Sequence, residues 1–404
     1  MSKGKNAVLY ILLTVFSLVF IFVGNRITSE GAHMFTAQTS AVTEIDTYIV
    51  KVDAVLSTET EDLLLGGTLE MTETRVKFSG SVLFGERRGD NLIVTQSYDT
   101  ISSRSQIPVK QGDWVIVYLT PATSSDYYMG DFFRLHLIIL TAVVFFIFLV
   151  IFAKSKGLST IVALLFSMLA VFLVFIPAIL SGRNIYFWAL VICLFTITIN
   201  PYYIGGFNAK STASALGCAG GVAVAAILTL FLNVFLNITG SVDEDMMMVS
   251  FIIADNPIDL RAITFAAILI GALGATVDVS MSISTAINEM CETSEKTSFK
   301  SLLTYGMNIG RDIIGAQTST LVLAYIGGSL SVVLLLVTYQ SSLIAMLNLE
   351  LIIVELLQML IGGFVVLFTI PATALICAMM LANKNNSSSH RRKKSHGATY
   401  RIGH

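Results

Sequence analysis

Two apolar stretches, residues 261–290 and 305–330, carry ionisable side chains where a helix lying in lipid should carry none: Asp278 in the first, Arg311 and Asp312 in the second. An ionisable group inside a membrane costs a few kcal/mol at least, so it usually faces a bundle interior or a watered cavity and has a partner. On a helix, Gly271, Ala275, Asp278, Ser282, Thr285 and Glu289 fall at three- and four-residue spacing and make one small, polar stripe, with Gly274 beside it. Asn308, Arg311, Asp312, Gly315, Thr318 and Ser319 make a comparable face in the second stretch. Small residues let backbones approach closely, so both faces are expected to turn toward protein and pack on each other. Counting back from Glu289 at about 1.5 Å per residue puts Asp278 roughly 16 Å deep, near mid-hydrocarbon. Arg311 and Asp312 also have a plainer reading, as side chains that snorkel to headgroups at the membrane border.

The rest of the chain supports a membrane reading. With 54% hydrophobic and 13% charged residues over 404 positions, it lies outside soluble composition, in which about a quarter of residues are charged. The net charge of -2 is unremarkable, but the basic residues cluster between apolar runs, where they fix orientation. Those of the tail, Arg391, Arg392, Lys393 and Lys394, suit topology or lipid headgroups better than nucleic acid. Cys193, Cys218, Cys291 and Cys377 lie in or beside apolar segments and imply no disulfide framework. No histidine has metal-ligand spacing with a cysteine, so neither a metal nor a cofactor is expected. The sequence holds no Ser-His pair, paired carboxylates or His-Glu-x-x-His arrangement, which argues against an enzyme.

Residues 1–24 read as an uncleaved transmembrane anchor, because Lys3 and Lys5 precede the apolar run and no small-x-small site follows it closely. Residues 25–134 have period-two segments bounded by Gly89-Asp90 and Gly112-Asp113, which predicts a small extracytoplasmic barrel or sandwich. A fragment of about residues 31–126 is expected to fold alone, and Tyr127 and Tyr128 read as an interfacial aromatic belt. Residues 135–382 predict seven further spans and residues 383–404 a disordered, basic cytoplasmic tail. Within the bundle, Asn200-Pro201 is expected to close one span, Ala213, Gly217 and Gly221 to pack in another, and Asn256-Pro257 to cap the Asp278 helix. The run 305–338 exceeds a bilayer, so residues 308–312 lie at the inner mouth or break the helix. Residues 341–358 suit an amphipathic surface helix, with Glu355 as a second-rank intramembrane candidate, and Pro371 predicts a kink in the last span.

Residues 271–283, reading GALGATVDVSMSI, and residues 306–315, reading GMNIGRDIIG, resemble the signature of the YibE/F family of bacterial membrane proteins. Leu323-Ala324-Tyr325-Ile326-Gly327 and Ile370-Pro371-Ala372-Thr373-Ala374-Leu375 fit it too, and the resemblance runs from about Gly112 onward. It implies a multipass bacterial membrane protein and no particular biochemical activity. A more distant likeness links Asp278, Glu289, Arg311, Thr318 and Thr320, and the domain after the first span, to SecD/SecF and wider resistance-nodulation-division (RND) transporters. The sequence departs from that pattern in Asp312, which stands where a threonine is expected, and in eight spans against six.

The expected fold is an all-α polytopic membrane bundle of about eight transmembrane helices with one small β-rich extracytoplasmic domain and both termini cytoplasmic, in a bacterial cell membrane. Two function classes follow. In one, the protein is an ion-coupled transporter or membrane machine with Asp278 as carrier, Arg311 and Asp312 as partners or gate, and Glu355 as a further candidate. In the other it is a scaffold acting through its outer domain and small-residue faces. Expected partners are the lipid bilayer and a second membrane protein, either of the same family or another copy.

Overall fold

The computed structural model describes residues 3–30, 47–65, 69–99, 107–119, 127–242, 246–248, 258–294, 298–339 and 342–399. The chain divides into two compact units, residues 37–152 and residues 1–36 with 153–404.

In the smaller unit, strands β1 (Thr47–Leu65), β2 (Leu69–Val82), β3 (Asn91–Asp99), β4 (Trp114–Leu119) and β5 (Tyr127–Phe132) close a barrel in the order β1-β2-β3-β5-β4. Among the described residues, β3 and β5 alone pair in parallel. The arrangement is that of a five-stranded Greek-key barrel, an architecture that by itself assigns no ligand. Successive strand residues point to opposite faces, and so Val50, Val52, Val76, Phe78, Val94, Val115 and Val117 all turn inward to one core. The Gly-Asp signals fall at turns that need a left-handed residue, with Gly89 at φ 92° and Gly112 at φ 93°. Buried Gln96 ties the loop before β4 to β3, donating to the Ile107 carbonyl and accepting from the Val109 amide, both at 2.9 Å.

Tyr127 and Tyr128 are strand residues. They open β5, where Tyr127 stands opposite Val94 and Leu119, and Tyr128 opposite Thr95 and Tyr118. Aromatic residues suit strands and membrane borders alike, so composition could not separate the two. The Tyr127 hydroxyl accepts from Arg87 at 2.7 Å, and Arg87 also donates to Asp90 at 3.0 Å. Those bonds, Asp90 first, raise the exposed guanidinium above its ordinary range. A fragment ending at Asp126 therefore omits the closing strand. Residues 47–132 are expected to give a β-type circular dichroism spectrum and a cooperative melt, which Phe78→Ala weakens by about 3–5 kcal/mol. An equally cooperative melt from a fragment without β5 would count against closure.

The helices are α1 (Lys3–Thr28), α2 (Leu135–Ala153), α3 (Ser155–Leu180), α4 (Ile185–Gly205), α5 (Ala209–Phe235), α6 (Leu260–Thr293), α7 (Phe299–Gly328), α8 (Leu330–Tyr339), α9 (Leu343–Leu347) and α10 (Glu350–Thr399). Seven helices among the described residues are long and apolar enough to cross a membrane, and the bent pair α7–α8 makes an eighth if it counts as one span. α3 contains a π turn at Val171–Phe175, just before Pro177, whose missing N–H frees a carbonyl one turn back. Asn200-Pro201 does not close α4, which runs on through Pro201 to Gly205. Residues 256 and 257 lie outside the described residues, and the observed N-cap of α6 is Asp259, whose side chain accepts from the Ala262 amide at 3.2 Å.

Pairings along the helices fix their directions. Ser214 and Cys218 of α5 meet Ser280 of α6, and Cys218 also meets Thr276, while Gly217 and Gly221 of α5 face Thr373 and Thr369 of α10. Gly306 of α7 faces Ile287 of α6 and Ala374 of α10, and further along Gly271 of α6 lies against Tyr325 and Gly362 of α10 against Leu321. Partner numbers fall as chain numbers rise, so each pair is antiparallel. α6 and α10 therefore run one way, α5 and α7 the other. α7 is continuous through residues 308–312 and bends instead by 58° into α8, after Gly327 and Gly328, where a kink has least side-chain packing to oppose it. The amphipathic surface helix expected over residues 341–358 is replaced by short α9 and by α10, which starts at Glu350 and continues through Pro371 and the basic tail to Thr399. A formed helix adds one hydrogen bond per residue, so it propagates into polar sequence more easily than a new one starts. Glu350 accepts from the Thr239 amide and hydroxyl at 2.8 Å and the Gly240 amide at 2.6 Å, clasping the loop after α5.

Candidate functional site

The orientation of α6 is decided by its large side chains. Phe265, Ile268, Leu269, Val279, Ile283 and Ile287 are buried, and they turn the opposite face outward. Gly271, Gly274, Asp278, Ser282 and Glu289 lie on that exposed face, and Ala275 and Thr285 at its edge. On α7 the same holds, with Asn308, Arg311, Asp312, Gly315 and Ser319 exposed and Thr318 half-buried. The expectation that both stripes pack on protein is thus corrected. A methyl group added at Gly274 or Gly315 meets nothing within 4 Å, and at Gly271 it meets only the Tyr325 side chain. In α5, by contrast, Gly217 and Gly221 are closely met by the Thr373 and Thr369 side chains of α10, and Gly217 also by the Thr373 backbone.

Arg311 is not the partner of Asp278. With Gly306 level with Ile287 and Tyr325 level with Gly271, Asp278 stands at the height of residues 315–318, and Arg311 lies on the order of 10 Å away along the axis. The described residues hold three ion pairs, Arg75–Glu73, Arg87–Asp90 and Arg134–Asp131, and none involves Asp278, Arg311, Asp312 or Glu355. Arg311 donates to Asn308 Oδ1 at 3.4 Å. Glu355 is half-buried within electrostatic range of Tyr325.

Asp278 instead lines a cleft of about 470 Å³ between α3, α4 and α6. The walls are apolar, with Leu164, Phe172, Ile192 and Leu273 among them, and the other polar groups are Thr160, Ser167, Thr196 and Asn200. Asn200 Nδ2 donates to Ser167 Oγ at 3.2 Å and to the Thr196 carbonyl at 3.0 Å, joining α4 to α3. The π turn contributes Val171 and Phe172 to the same wall. An apolar cavity with few polar groups is the usual form of a ligand site, and one ionisable group in it can exchange a proton or hold a cation.

Sequence reasoning missed two parts of this. Ser167 and Asn200 carry no charge and are separated in sequence, and Asn200 sits in what reads as a turn. The second part is a buried hydroxyl seam behind α6, where Ser280 Oγ lies 2.8 Å from both Ser214 Oγ and Cys218 Sγ. Its only signal was the spacing of four in Ser214 and Cys218, in Thr276, Ser280 and Ser284, and in Thr369 and Thr373. Among the described residues no group of three or more His, Cys, Asp or Glu could hold a metal ion.

Helices of this number, length and apolarity point to a multipass membrane protein. Residues 141–383 match the family described as YibE/F-like protein, and the chain belongs to that family. No curated protein and no solved structure matches it.

Proposed function

We propose that the chain crosses a bacterial cell membrane eight times with both termini cytoplasmic, and that it is an ion-coupled transporter in which Asp278 carries the proton or cation. The observation that carries this reading is a carboxylate near the middle of a 34-residue apolar helix, with no ion pair among the described residues and open to a cleft. A carboxylate so placed is costly, and a carrier needs one that can reach water and let go of its ion. Eight spans suit the antiparallel run of α7 along α6 and α10. The barrel then lies outside, and Lys154, Lys210 and Lys300 inside. The reading includes no enzyme activity and no cofactor, and the bilayer is the protein's medium. A scaffold that moves nothing is the second reading, favoured by the outward small-residue faces of α6 and α7.

Cysteine accessibility tests both topology and mechanism. Single cysteines at Ser181 and Ser241 are expected to react with an impermeant thiol reagent added outside, and one at Lys300 only after permeabilisation; the reverse pattern inverts the topology. Asp278→Cys is expected to react with a small charged thiol reagent from at least one side. A residue at 278 closed to water from both sides removes the carrier role.

A further inference from the structure

The geometry points to a homodimer formed along the outward face of α7, with Arg311 of each copy paired to Asp312 of the other. α7 turns Leu302, Gly306, Gly310 and Leu321 inward and leaves Asn308, Arg311, Asp312, Gly315 and Ser319 exposed. At 3.6 residues per turn, Gly315 and Ser319 run along the centre of that face, with Arg311 on one flank and Asp312 on the other, about 100° apart and about 1.5 Å different in height.

Two copies of one membrane protein share an orientation, so a two-fold axis between them runs along the membrane normal. Such an axis sets the left flank of one helix against the right flank of its mate. Arg311 of each copy then faces Asp312 of the other, twice, at one depth. Among the described residues Asp312 has no ion pair or hydrogen bond, and Arg311 has only Asn308. The doublet is electrically balanced, so a second copy pairs both charges where a partner rich in one sign would strand the other. Gly315, with nothing within 4 Å of an added methyl, leaves room for the two backbones to approach. The inference requires that α7 span the membrane and is independent of whether Asp278 carries an ion.

The test uses the full chain in native membranes with Cys291→Ser, the other three cysteines being buried, and Ser319→Cys added. Mild oxidation is expected to give a band of twice the chain mass that is absent without the cysteine at 319. Arg311→Asp alone or Asp312→Arg alone sets like charges opposite one another and is expected to lower the cross-linked fraction about tenfold. The double exchange, Arg311→Asp with Asp312→Arg, is expected to restore it, which a folding defect would not do. A lone monomer band, a cross-link only to a species of different mass, or a double exchange no better than either single change would overturn the proposal. Ion flux measured on the same proteins reports on Asp278 separately, so either idea can fail without the other.

Discussion

Asp278→Asn is expected to leave expression and assembly intact and to abolish ion flux, followed with a trapped pH dye in proteoliposomes beside the wild-type chain. Asparagine keeps the shape of the side chain and its carbonyl oxygen but cannot ionise, so only a role that needs the charge is lost. The carboxylate makes no hydrogen bond or ion pair among the described residues, so its removal leaves no partner charge stranded, and folding has no reason to suffer. Asp278→Glu is expected to keep part of the flux, because the cleft of about 470 Å³ has room for one more methylene. Arg311→Ala is expected to leave flux largely unchanged, since the guanidinium lies on the order of 10 Å further along the bundle. Full flux from Asp278→Asn would remove the carrier role from Asp278, whereas no flux from the wild-type chain would leave the scaffold reading as the better one.

Gly217→Leu is expected to be among the most destabilising single changes in the helical unit. A Cβ at Gly217 would collide with the Thr373 side chain and lie 2.9 Å from its Cα. A rotamer change cannot relieve contact with a backbone atom, so α5 and α10 must separate. Overpacking typically costs about 1–3 kcal/mol, and more where the backbone has to move. The expected readout is loss of a monodisperse peak in detergent and a lower melting temperature. Gly274→Leu meets open space and is expected to melt within about 0.5 kcal/mol of the wild type. If the two outcomes were exchanged, the inward and outward faces of α5 and α6 would be misassigned.

The contrast between Gly217 and Gly274 shows where the sequence was legible. Apolar length marked the helices, and period-two segments with Gly-Asp turns marked the barrel, because both follow from local periodicity. Asp278 and the α5 glycines stood out for the same reason, being the wrong or the smallest residues in an apolar run. Which face of a helix is buried is not local. Both faces of α6 carry small residues, and the choice fell to Phe265, Leu269, Ile283 and Ile287, which bury more area than the glycines across from them. The cleft was invisible for a like reason. It joins residues from about 160 to 278 through three helices, and no spacing rule links Ser167, Asn200 and Asp278.

The seam between α7 and α10 has a mechanical meaning. Gly306 and Gly310 lie on Ala374 and Ile370, Leu321 lies on Gly362, and among the described residues no side-chain hydrogen bond joins the two helices. α5 and α6, by contrast, are fastened at Ser214, Cys218 and Ser280. Sliding α7 along α10 breaks no directional bond, and what opposes it is the seating of Ile370 at Gly310 and of Leu321 at Gly362. α5 and α6 are thus held by directional bonds, and α7 and α10 by the fit of their side chains alone.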